Sequence, residues 1–91
     1  MATIGECQDS IKELQSLNIV LKARYTYSKT VKDGIVLQIN SFDNHTSVPT
    51  QASVTSTGYA AVQELAAIQQ MIDDNNTKIN IFQDRINRYF I

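Results

Sequence analysis

Four cations, Lys22, Arg24, Lys29 and Lys32, stand within eleven residues, with Tyr25 and Tyr27 among them and no acid in the window. Cations interleaved with rings suit a small anion or a nucleotide, because phosphate oxygens accept from the cations while bases stack on the rings. Arg85, Arg88 and Tyr89 could complete such a pocket between copies of the chain. The alternation of this segment limits the idea. Lys22 and Arg24 fall on its polar side and Tyr25 and Tyr27 on its apolar side, so the plainer reading is that the cations keep a strand soluble. Lys29 is the exception: it shares the apolar side with Tyr27 and wants a carboxylate, a ring or an anionic ligand.

Other chemistries find little to work with. One cysteine and one histidine, Cys7 and His45, cannot build a structural zinc site within one chain. Cys7 lies on an apolar stripe, where a small thiol is a core residue rather than a nucleophile. Asp73, Asn75, Thr77 and Asp84 have the first, third, fifth and twelfth places of a calcium loop, but Lys78 stands where the sharp turn needs glycine. Three glycines form no phosphate-cradling loop, and the adjacent Asp73 and Asp74 would point about 100° apart on a helix. The expectation is a protein without metal, cofactor or catalytic set.

The elements that must position these residues read as follows. Thr3 with Glu6 is a capping-box arrangement opening a helix over 3–18, whose apolar side carries Ile4, Cys7, Ile11, Leu14 and Leu17. Ile19 and Val20 would break that stripe. From there Ile19, Leu21, Ala23, Tyr25, Tyr27 and Val31 alternate with polar residues, which predicts a strand over 19–31. Asp33-Gly34 predicts a hairpin into a second strand over 35–42, with a three-residue loop of Lys32, Asp33 and Gly34 and the glycine in the left-handed region. Asp43-Asn44-His45 is a polar turn, and a third strand is expected over 46–55, at an edge because Pro49 cannot donate to a ladder. Ser56 or Thr57 would cap a long helix over 58–90, continuous in register, with a break at 73–77 as the alternative. The predicted fold class is α+β: helix, three-stranded antiparallel meander and helix (αβββα), both helices on one sheet face, in a single domain over 1–91.

In the last helix Leu65, Ile68, Ile72, Asn75, Ile79, Phe82, Ile86 and Tyr89 follow each other at steps of three and four, the spacing of a heptad seam, with Phe90 beside it. A sheet of about 33 Å cannot cover a helix of roughly 50 Å. The uncovered part, from Ile79 to Phe90, would need a fold-back or a partner, so residues 59–91 are the expected interface of a homo-oligomer or a heterologous complex. Asn75 on the seam would select register and oligomer state.

The element order αβββα is similar to that of the double-stranded-RNA-binding domain. That resemblance implies an RNA-binding role as a further alternative. The lysine cluster such domains place at the start of their last helix is absent, and this turn reads Thr55-Ser56-Thr57-Gly58-Tyr59-Ala60-Ala61. A net charge of −1 gives no general attraction to nucleic acid or anionic lipid. Glu6, Asp9 and Glu13 interrupt any signal-peptide core, and the lone thiol suits a reducing compartment, so a cytoplasmic protein with no membrane association is expected. Abundant Ile, Asn, Gln and Thr suit an AT-rich genome such as a virus, where an inhibitor or a ligand-sequestering counter-defence protein would fit. The leading expectation is a non-enzymatic, self-associating protein-binding module: an adaptor, an assembly component or an inhibitor. Its alternative is an oligomeric binder of a nucleotide or other small anion.

Overall fold

The steps of three and four that begin at Leu65 continue backwards through the whole chain. On one side they run Gln51, Val54, Gly58, Ala61, Leu65, Ile68, Ile72, Asn75, Ile79, Phe82, Ile86. On the other they run Ile4, Cys7, Ile11, Leu14, Asn18, Leu21, Tyr25, Ser28, Lys32, Ile35, Ile39, Phe42. A heptad repeat sustained this long builds paired helices. A computed structural model describes residues 3–89 and consists of two of them, α1 over Ile4–Asn40 and α2 over Val48–Arg88. They lie antiparallel in a rod of 69 × 16 × 16 Å. Within α2 every buried or half-buried residue lies on the seam, and within α1 only half-buried Ser10 falls outside it.

Each end is fixed locally. Thr3 caps α1 by accepting from the Glu6 amide at 3.1 Å. Ser47 caps α2, its hydroxyl accepting from the Thr50 amide at 3.2 Å, and Pro49 sits in the first turn, where a missing N–H costs nothing. Residues 41–47 between the helices are held by Asp43. Its carboxylate accepts from the His45 amide at 2.7 Å, and its own amide donates to the Thr46 hydroxyl at 3.1 Å.

The α+β expectation is therefore corrected: among the described residues there is no strand. Residues 19–31 and 35–42 belong to α1, and 48–55 of the third expected strand belong to α2, so the last helix begins at Val48 rather than after Ser56 or Thr57. Asp33-Gly34 is helix interior, and among the described residues no glycine has positive φ, which removes the bulge turn. The physical reason lies in which apolar residues are buried. Ile19 and Val20, which argued for a strand, are 70% and 59% exposed, while seam positions are taken by polar Asn18, Ser28 and Lys32. Leu21, Tyr25, Ile35 and Ile39 satisfy both patterns, because a step of four fits a period of two as well as a helical turn. Packing against α2 then outweighs the few tenths of a kcal/mol that each β-branched residue costs a helix. The chain runs through Asp73–Thr77 without a break.

The register follows from the contacts. Cys7, Ile11 and Ile86 are buried together, with Ile4, Ile79 and Phe82 packed on them, at the end of the rod far from the loop. In the middle Asn18 meets Asn75, and towards the loop Ile35 and Ile39 meet Gly58. Paired layers thus have residue numbers summing to 93. Ile68 is the largest fully buried side chain among the described residues, 2% exposed, a burial worth about 1.5–3 kcal/mol.

Candidate interaction surface

Leu65, Ile68, Ile72, Asn75, Ile79, Phe82 and Ile86 all face α1. The stripe that a short sheet would have left bare is covered within the chain, because the partner helix is as long as the stripe. Tyr89 is exposed, and Phe90 lies outside the described residues.

Asn75 is part of a polar layer that no strand arrangement would contain. Its amide Nδ2 donates to Asn18 Oδ1 at 3.0 Å, and Asn18 Nδ2 donates to Asn76 Oδ1 at 2.9 Å. Asn18 is buried, and both ends of its amide are satisfied. Sliding either helix by one heptad would set Asn18 against Ile68 or Phe82 and part it from Asn75 and Asn76, so this layer holds the register.

The cations do not converge. Arg24 reaches across to Glu64 at 3.7 Å. Lys32 donates to Asp33 at 2.7 Å, and this hydrogen bond holds the Asp33 carboxyl below its ordinary range. Arg88 pairs with Asp84 at 2.8 Å, and the Arg85 guanidinium lies 5.5 Å from the centre of the Phe82 ring. Arg85 is one residue before Ile86, which layers with Cys7, so it stands roughly 24 Å along the rod from Arg24. Lys22 and Tyr25 do come together, lining an open cleft of about 210 Å³ with Thr26, Gln69 and Ile72. Lys29 and Tyr27 are exposed on α1. A second open cleft, about 350 Å³, is lined by Gln8, Ile11, Lys12, Gln15, Gln83 and Ile86.

Among the described residues no three His, Cys, Asp or Glu side chains are grouped to hold an ion. Asp73, Asn75, Thr77 and Asp84 lie on continuous helix rather than in a loop. Cys7 is buried in the cluster at one end of the rod, and His45 belongs to the loop at the other. Among the described residues no helix is long and apolar enough to cross a membrane.

What the strand reading missed is a second stripe on α1. Leu17, Val20, Arg24, Tyr27 and Val31 also follow at steps of three and four, along the flank that carries the Arg24–Glu64 pair. Residues so spaced are neighbours on a helix surface. All four apolar members are exposed, Leu17 at 54% and Tyr27 at 73%. One heptad along each helix from the Arg24–Glu64 pair stand Leu17 and Met71, so exposed Met71 of α2 extends the patch. The signal was present in the sequence: once the seam steps from Leu14 to Asn18, Leu17 is left outside it.

Comparison with protein-family models, with curated proteins and with solved structures finds no match to this chain.

Proposed function

We propose that this chain is a non-enzymatic protein-binding module that works as a self-associating coiled-coil rod. The observation that carries this reading is the exposed stripe of Leu17, Val20, Tyr27 and Val31 with Met71 beside it. Single exposed apolar residues need no explanation, but a contiguous patch along one flank of a rod is how a protein surface meets another protein. The 69 Å rod suits a spacer, adaptor or assembly component, since it displays surface along its length. The free thiol of buried Cys7 is compatible with a reducing compartment and a cytoplasmic location. Sedimentation velocity at tens of micromolar tests the reading. An oligomer that falls apart on Leu17→Lys with Val20→Lys is the expected result, and a monomeric native chain overturns it.

A second reading rests on the cleft of Lys22, Tyr25, Thr26 and Gln69, which combines one cation, a ring and two neutral hydrogen-bonding groups. A nucleotide or other small anion held there would raise the melting temperature by mass action. A thermal-shift series with nucleotides that leaves the melting temperature unmoved removes this reading.

A further inference from the structure

The flank of α1 continues beyond its apolar middle as Glu6, Ser10, Glu13, Leu17, Val20, Arg24, Tyr27, Val31, Gly34, each three or four residues from the last and all exposed except half-buried Ser10. Its N-terminal half carries acids, Glu6 and Glu13, and its C-terminal half carries Arg24. A stripe that is acidic towards one end and basic towards the other complements itself when two copies run antiparallel. Resting on the self-association reading above, we propose that the occupant of this flank is a second copy of the chain. Two α1 helices pack antiparallel about a two-fold axis between Leu17 and Val20, forming a four-helix bundle.

The register is decided by the central apolar pair together with the charges. With Leu17 against the partner's Val20, Glu13 meets the partner's Arg24 and Ser10 meets the partner's Tyr27, each twice by symmetry. A slide of one heptad in either direction sets Glu13 against the partner's Leu17 or the partner's Val31. The chosen register sets Glu6 against the partner's Val31 near the ends of the contact, and the slide that sets Glu13 against the partner's Leu17 pairs Glu6 with the partner's Arg24 instead; only the chosen register both stacks Leu17 on the partner's Val20 and keeps a carboxylate on Arg24. Arg24 can serve both carboxylates: its guanidinium offers five donors, and the bond to Glu64 is long at 3.7 Å between exposed groups. The stripe from Glu6 to Gly34 is about 42 Å long. Taken across the full 16 Å width of the rod, the neighbouring flank of α2 included, the footprint is roughly 700 Å² per copy, close to the ~800 Å² per partner of a stable interface.

The test is a charge reversal in the full chain, all variants carrying Glu64→Gln so that a new acid at position 24 meets no internal carboxylate. Dimer dissociation is measured by sedimentation equilibrium, and helix content by ellipticity at 222 nm confirms that each variant is folded. Glu13→Arg and Arg24→Glu should each weaken the dimer about tenfold, and the double variant should return to within about threefold of its parent. A dimer indifferent to the single changes, or a double variant as weak as the singles, overturns the antiparallel register while leaving self-association standing. If the native chain and the Glu64→Gln parent are both monomeric, the self-association reading fails and this proposal with it.

Discussion

Replacing Gly34 by alanine separates the helical hairpin from a β-hairpin by the sign of one measurement. Gly34 lies six residues before the end of α1, and a Cβ built on it meets nothing within 4 Å. Its φ is not positive. Alanine therefore adds no clash and removes the excess backbone freedom of glycine in the unfolded chain. In a helix interior that exchange is worth about 0.8–1 kcal/mol, somewhat less this near a helix end. For a domain of this size a gain of 1 kcal/mol raises the melting temperature by about 4–8 °C. Were Gly34 the left-handed residue of a bulge turn, the same substitution would instead cost about 1–2 kcal/mol. Urea melts followed by ellipticity at 222 nm, at matched protein concentrations because self-association shifts midpoints, read the difference. A lower midpoint for Gly34→Ala refutes a continuous α1 across Asp33-Gly34.

The remaining predictions concern the seam. Gly58→Ala should have the opposite sign to Gly34→Ala, because its Cβ would lie 3.0 Å from Ile35 Cγ2 and 3.5 Å from Ile39 Cδ1. An overpacking cost of about 1–3 kcal/mol outweighs the helical gain, so its urea midpoint should fall. Asn18→Leu should destabilise by about 1–3 kcal/mol, since half-buried Asn75 loses the acceptor it has at 3.0 Å and Asn76 its donor at 2.9 Å. Adding Asn75→Leu should restore the midpoint or exceed it while loosening register, seen as mixed species in light scattering. A double variant no more stable than Asn18→Leu alone would show that the asparagine layer does not act as a pair.

How much of the candidate surface was legible divides in the same way as the fold. The cluster of Lys22, Arg24, Lys29 and Lys32 was visible, but its meaning depended on what stands across the groove. Glu64 takes Arg24, Asp33 takes Lys32, and Lys22 and Tyr25 share a cleft. The exposed flank is hidden in the sequence because Leu17 fits the core stripe of a short helix and Tyr27 and Val31 fit the buried face of a strand. Their positions change once Asn18 and Ser28 are recognised as the buried residues.

The amino-acid sequence by itself determined the cap at Thr3, the polar turn around Asp43 and the amphipathic stripe from Leu65 to Ile86. These depend on a residue and its near neighbours along the chain. Tertiary structure alone decided the state of residues 19–55. There the local pattern of β-branched and alternating residues fits a strand, and only the facing α2 shows the reason for a polar seam. Asn18 is buried because Asn75 and Asn76 satisfy it, and Ile35 can approach because position 58 has no side chain. Hydrophobic periodicity records what a residue would prefer to touch. Burial is settled by what another segment brings to it, some 57 positions away for Asn18 and Asn75, and no window read along one strand of sequence contains that information.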